Sequence, residues 1–240
     1  MPLLPGGAPT AFLKRQSEQE PVGFELIEIR RNANRCGNRQ IKKKNQRKKH
    51  NMQQDLARLW QIIDRDALIT GQNMALSAGG ASSFYFDCKK ATLNGEGLHL
   101  IADAFLERID ALPERPIAIG GLTLGADFIV AAVIMRAHQV GHSPISGSIV
   151  RKEPKKHGTR TRMENDPRAG MTVVVVDDVI TTGGSTAKAC DEFIEAGCRI
   201  VGIIALVDRE AGGARNLADK YGCSVHSLFR KSDFPRIDKG

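Results

Sequence analysis

With 240 residues and 41% apolar content, the chain suits one α/β domain with additions and carries enough apolar side chains for a sizeable core. No run of 18 or more apolar residues occurs and no charged segment leads into an apolar one near Met1, so neither a spanning helix nor secretion is expected. The net charge of +8 resembles a nucleic-acid signal, yet residues 1–51 hold 12 of the 35 Lys and Arg and 4 of the 27 Asp and Glu, leaving 23 of each sign in residues 52–240. That neutral remainder is not expected to bind polyanions through a general basic surface.

The basic excess is densest from Ile41 to His50, and residues 1–51 lack sustained apolar periodicity, so they read as a disordered extension. Three readings of the extension stand side by side: a basic arm for RNA, DNA or anionic lipid, a plain flexible tail, or an untranslated leader. The last rests on Arg47, Lys48 and Lys49, whose purine-rich codons resemble a ribosome-binding region just before Met52. On that reading Met52 is the natural start, and the folded domain is expected to span residues 52–240. Cys36, Cys88, Cys190, Cys198 and Cys223 are odd in number and form no C-x-x-C pair. They read as reduced thiols of a cytoplasmic protein, with no disulfide frame and no metal held by the protein itself.

Apolar residues Leu56, Leu59, Trp60, Ile63 and Ala67 recur at helical spacing and predict one amphipathic helix over Asp55–Ile69. Leu76–Phe86 has strand and turn character broken at Gly79 and Gly80. A helix over Gly97–Arg108, a buried strand at Pro116–Ile119 and a strongly apolar helix over Gly125–Gly141 follow. Next come a strand near Gly147–Val150 and a highly charged stretch from Arg151 to Arg168. The remaining elements are a strand at Thr172–Val176, a helix from about Ala187 to Ala196, a strand at Ile200–Val207, a helix at Ala214–Tyr221 and a strand at Ser224–Leu228. Such alternation with short links predicts an α/β fold with a central parallel sheet flanked by helices.

The stretch Val173–Thr186 carries the most chemistry. Four consecutive valines, Val173 to Val176, read as a strand buried on both faces. Asp177 and Asp178 then stand at its carboxyl end, where open α/β sheets place their ligands. Thr181, Thr182, Gly183, Gly184, Ser185 and Thr186 form a loop of small and hydroxyl residues leading into a helix. Backbone N–H groups can converge there on one anion, with the hydroxyls adding donors. Acids beside a phosphate cradle suit a ribose 5-phosphate. The stretch is neither a Walker A loop nor a dinucleotide fingerprint. Read alone, it is also what an ordinary strand and turn would look like.

Loops after neighbouring strands should reach the same edge. Gly120–Asp127 is rich in small residues that let backbone amides approach pyrophosphate, or serve tight turns. Val150–Gly158 packs Arg151, Lys152, Lys155, Lys156 and His157 into seven residues. A mobile cationic loop of that kind can close over a polyanion and neutralise a leaving group. Ser82–Asp87 offers aromatic surface for a flat heterocycle. Arg209, after the next buried strand, can pair bidentately with a carboxylate or form an ion pair with Asp208.

Taken in chain order, Leu76–Asp87, Arg151–Gly158, Val173–Thr186 and Val207–Glu210 resemble the orotate branch of the type I phosphoribosyltransferases. The resemblance covers residues 52–230. It implies the type I fold with a small hood region, and transfer of the phosphoribosyl group of 5-phosphoribosyl pyrophosphate (PRPP) to N1 of orotate with Mg²⁺ held mainly by PRPP. It implies that Asp177, Asp178, Val179, Ile180, Thr181, Thr182, Gly183, Gly184 and Ser185 hold the ribose and its 5-phosphate. Arg151, Lys152, Lys155 and His157 would grip pyrophosphate, some from a partner in a homodimer, with Lys155, Asp177 and Asp178 counted as catalytic. Tyr85 and Phe86 would flank orotate, while Thr181 and Arg209 bind its polar edge. Two family cations are missing, because Ser77 stands where many members have Lys, and Thr123 and Leu124 where many have Tyr-Lys. Lys89 or Lys90 is a stand-in for one of them. The competing expectations are a phosphoribosyltransferase for another base, and a PRPP-sensing regulator that binds nucleic acid through residues 1–51.

Overall fold

The computed structural model describes residues 50–75, 81–143, 145–153 and 162–239. From Asn51 onward the chain forms one compact unit. The basic extension and the assignment of disorder to it lie outside the described residues, as do Ser77, Lys155 and His157.

A helix α1 runs to residue 62 and passes through a single π turn, Ile63–Ala67, into strand β1, Leu68–Ala75. β1 pairs antiparallel with β2, Ala81–Phe86, in a two-stranded sheet of its own, with Leu68 opposite Phe86 and Thr70 opposite Phe84. This hairpin is the hood. The helix therefore ends earlier than its periodicity predicted. An apolar run such as Ile62, Ile63, Ala67, Leu68 and Ile69 satisfies a helical and an extended pattern alike, and pairing with β2 decides for the strand.

Short α2 (Lys89–Thr92) and long α3 (Gly95–Asp110) follow, with the Asn94 side chain capping α3 by accepting the Gly97 N–H at 2.9 Å. The main sheet then builds from β3 (Ala118–Leu122), β4 (Ser146–Val150), β5 (Met163–Glu164), β6 (Thr172–Ile180), β7 (Arg199–Asp208) and β8 (Val225–Arg230) in the order β5-β4-β3-β6-β7-β8. All neighbours are parallel except the edge pair β4/β5. Helix α4 (Asp127–Gln139) joins β3 to β4, α5 (Gly184–Glu195) joins β6 to β7, and α6 (Gly213–Tyr221) joins β7 to β8.

The valine run of β6 explains the layering. Side chains alternate across a strand, so Val174 and Val176 enter the apolar cluster that includes α1, α3 and α4 residues, while Val173 and Val175 enter the one that includes Ala189 and Phe193 of α5. Each fully buried valine contributes about 1.5–3 kcal/mol. β3 is likewise buried along its whole length. The expected central parallel sheet flanked by helices is thus present, and the expected charged stretch proves to contain an antiparallel edge strand, β5, so that the sheet is mostly parallel. Its single buried anchor, Met163, gave too short a pattern to read.

Candidate functional site

β6 is longer than its apolar run. It continues through Asp177 to Ile180 because β7 goes on pairing with it, Asp177 opposite Ala205 and Ile180 opposite Asp208. The two acids are therefore held by the sheet itself rather than by a loop. Asp177 is 5% exposed. It accepts the Thr186 hydroxyl at 2.7 Å and the Asp178 backbone N–H at 3.0 Å. Burial first, and then the neighbouring Asp178 charge, push its pKa up to about 7. Burial also raises the Asp178 pKa, against hydrogen bonding from Asp177 and Val179 and the charge of Lys89.

Thr186, expected as the last hydroxyl of the loop, turns its hydroxyl to Asp177. It lies in the first turn of α5, which begins at Gly184 rather than near Ala187. Gly183 makes that early start, holding φ +84° immediately before the helix, a conformation L side chains rarely adopt. Thr182, Gly184 and Ser185 are exposed around the helix N-terminus, where first-turn N–H groups have no intrahelical acceptor. The loop after β3 closes on the acids from above: a Cβ on Gly125 would lie 2.6 Å from Oδ1 of Asp178 and 2.8 Å from Oδ1 of Asp177. Only glycine fits that approach. The Thr123–Leu124 peptide in this loop is cis, and the Thr123 hydroxyl donates to Asp127 at 3.0 Å.

The loop after β7 is tied to the one after β6. The Arg209 N–H donates to the Ile180 carbonyl at 2.9 Å, and the Gly213 N–H to the Thr181 carbonyl at 3.1 Å. Arg209 is 8% exposed, and burial lowers its pKa. Its Nη2 donates to the Ser82 hydroxyl at 2.8 Å and to the Phe84 carbonyl at 3.3 Å, and its Cζ lies 4.4 Å from the Phe84 ring centroid. Among the described residues its buried Nε has no hydrogen-bond partner. A guanidinium with an orphaned N–H fits a bound carboxylate.

The hood strand departs from the sequence expectation at one ring. Phe86 is 2% exposed and packs edge-on against Phe84 and Phe234, at 5.9 and 5.1 Å, so its ring belongs to the core and does not flank an open pocket. Phe84 is the ring beside Arg209, and Tyr85 is half-buried on the same strand. In a run of three aromatics, alternation distinguishes neighbours but not which of the alternate positions reaches the core, so Phe84 was not singled out.

Of the cationic loop, Arg151 and Lys152 are described. Arg151 extends β4 and pairs with Glu164 of β5 at 2.8 Å, while Lys152 is exposed. Lys89 pairs with Asp87 at 2.7 Å, which raises its pKa; Lys90 is exposed. A separate cavity of about 500 Å³ lies beside the end of β7, lined by Ile180, Asp208, Glu210, Arg215, His226 and Arg230 among others, and does not include Asp177, Asp178 or Arg209. Among the described residues no cluster of three or more His, Cys, Asp or Glu is placed to hold a metal. The donor set, two adjacent carboxylates beside an open loop, fits a cation brought in on substrate oxygens better than one caged by protein. No helix among the described residues is long and apolar enough to cross a membrane.

Comparison with known proteins places these motifs in context. The phosphoribosyl transferase domain matches residues 94–232. Orotate phosphoribosyltransferase of Thermosynechococcus vestitus is 42% identical over 173 residues, 72% of this chain and 88% of that protein. Its counterpart in Aquifex aeolicus is 41% identical over 158 residues, 66% of this chain and 84% of that protein. Among solved structures, Mycobacterium tuberculosis orotate phosphoribosyltransferase in complex with PRPP has 29% identity and a TM-score of 0.60, covering 75% of this chain and 98% of that one.

Proposed function

The chain belongs to the phosphoribosyl transferase domain family, with orotate phosphoribosyltransferases as its relatives at about 40% identity, and on that premise we propose that it converts PRPP and orotate to orotidine 5′-monophosphate and pyrophosphate. The observation that carries the reading is the pair of acids at the end of β6, with Gly125 closing over them and the Gly183 turn opening α5 beside them.

In this reading the exposed Thr182–Ser185 loop and the α5 N-terminus take the 5-phosphate, with Thr181 completing the turn and reaching the base. Asp178 and Asp177 accept the ribose hydroxyls. As the C1–O bond of PRPP loosens, positive charge grows on the sugar, and two carboxylates nearby favour it. Mg²⁺ brought in with PRPP would supply charge neutralisation for the departing pyrophosphate. Val179 and Ile180 set the strand end from which the loop turns. Arg151, Lys152, Lys155 and His157 neutralise pyrophosphate, with Lys155 closest in role to the leaving group. The orphaned Nε of Arg209 answers the orotate carboxylate, and Phe84 with Tyr85 provides the aromatic surface in place of Phe86.

The finer assignments follow the same reading. Residues 52–240 are the catalytic domain, the protein works in the cytoplasm as a homodimer, and the cationic loop serves the partner's site. Incubation with PRPP, Mg²⁺ and orotate, followed by the loss of orotate absorbance, tests the activity. Consumption of hypoxanthine with no consumption of orotate would overturn the choice of base.

A further inference from the structure

Two cations converge on one ring of the hood. The Arg209 Cζ lies 4.4 Å and the Lys231 Nζ 5.5 Å from the Phe84 centroid, so by these two legs the charges are at most about 10 Å apart. Among the described residues neither side chain makes an ion pair. The acids that surround them are occupied. Glu210 uses both oxygens on Ser232, accepting its N–H at 2.8 Å and its hydroxyl at 3.1 Å. Asp208 accepts the Glu210 N–H at 2.9 Å, and Asp233 accepts the Arg230 N–H at 2.7 Å.

The backbone around Lys231 is fastened on both sides. Ser232 is held by Glu210, the residue next to Arg209. The Asp233 carbonyl accepts the Trp60 indole N–H at 2.9 Å. Phe234 is buried, stacked on Trp60 at 5.8 Å and edge-on to Phe86 and Phe229 at 5.1 and 6.0 Å. Arg236 reaches back to Asp64 just before β1. The segment after β8 thus straps the hood, α1 and the Arg209 loop together. That strap carries Lys231 with its Nζ over the Phe84 ring.

We propose that Lys231 is a base-specificity residue, the second cation of a pocket that selects a carboxylated heterocycle over a neutral one. The inference rests on the assignment of Arg209 and Phe84 to the orotate subsite. Two like charges held beside one ring, partly out of water and with no ion pair to either among the described residues, are a field that an anionic ligand relieves. Lys89, by contrast, is already paired with Asp87.

The test is steady-state kinetics of the full chain and its Lys231→Met and Lys231→Arg variants, with both substrates varied and with uracil, which lacks the carboxylate, as a competing ring. Lys231→Met should raise the KM for orotate about tenfold, the equivalent of one partly desolvated ion pair. It should leave kcat, the KM for PRPP, the weak inhibition by uracil and the melting temperature near their original values. Lys231→Arg should restore most of the orotate affinity. A wild-type enzyme that consumes no orotate overturns the reading of the site. A wild-type enzyme that does, beside a Lys231→Met variant with unchanged KM for orotate or with equal losses toward orotate and uracil, overturns the role of Lys231 alone.

Discussion

Asp177→Asn separates the two demands placed on the end of β6. The carboxyl group is 5% exposed, and burial with the adjacent Asp178 charge lifts its pKa from 3.8 to about 7. The native chain therefore keeps a proton that the unfolded chain gives up between about pH 4 and pH 7. For an acid shifted upward, the sign is that stability is greatest below the unfolded pKa, falls as pH rises through this window, and stays at the lower level above it. About three pKa units correspond to a ceiling of about 4 kcal/mol. Asparagine has the same size and keeps an oxygen for the Thr186 hydroxyl but never ionises. Thermal melting as a function of pH should show variant and wild type close together near pH 4. They should diverge toward pH 8, where half the ceiling, about 2 kcal/mol, raises the variant's melting temperature by roughly 4–8 °C in a domain of this size. Turnover should fall by about a hundredfold at the same pH, because a neutral amide does not favour positive charge on the ribose. Parallel melting curves across the whole range would refute the burial argument, and an active variant would remove Asp177 from the reaction.

Asp178→Asn should lower turnover by about two orders of magnitude or more without lowering the melting temperature, read from the orotate absorbance assay and a thermal scan. Gly125→Ala places a Cβ 2.6 Å from the Asp178 carboxylate, so activity should fall further than stability, and a fully active, equally stable variant would show that the β3 loop moves freely. Lys155→Ala and Arg209→Ala should each be nearly inactive alone, and mixing the two should restore about a quarter of the sites if the cationic loop works in trans; no recovery after subunit exchange would place the loop in its own site.

The parts of the fold legible in the sequence were those with a long, single-period pattern. The valine run of β6 and the apolar residues of α4 and β7 could be read because burial on both sides of a parallel sheet demands them. Boundaries failed where a tertiary partner rather than the local pattern decides. β6 runs four residues past its apolar stretch because β7 keeps pairing, and α5 starts three residues early because Gly183 turns left-handed. The acids and the Gly/Thr loop of the site were legible because their chemistry is concentrated in one segment. Lys231, and the particular contacts of Thr186, Gly125 and Phe84 within the loops and strand already noted, were not. Each contact is with a neighbour distant in sequence or across a turn: Thr186 with Asp177, Gly125 with the same acids, and Phe84 with Arg209 and Lys231.

The register between β6 and β7 gives those scattered residues a common geometry. Ile180 and Asp208 are opposite one another, so the loops that follow leave the sheet side by side. Two backbone hydrogen bonds, Arg209 N–H to Ile180 and Gly213 N–H to Thr181, then lock the loop assigned to phosphate against the loop assigned to the base. Under the proposed roles, the distance between a 5-phosphate and a carboxylate is set by paired strands rather than by flexible side chains. The hood is fixed to the same frame through Arg209 to Ser82 and through the strap from Ser232 to Phe234. On the proposed roles, alignment of the base nitrogen with C1 of the sugar would be built into the fold before either substrate arrives, and positioning of that kind is a large source of rate.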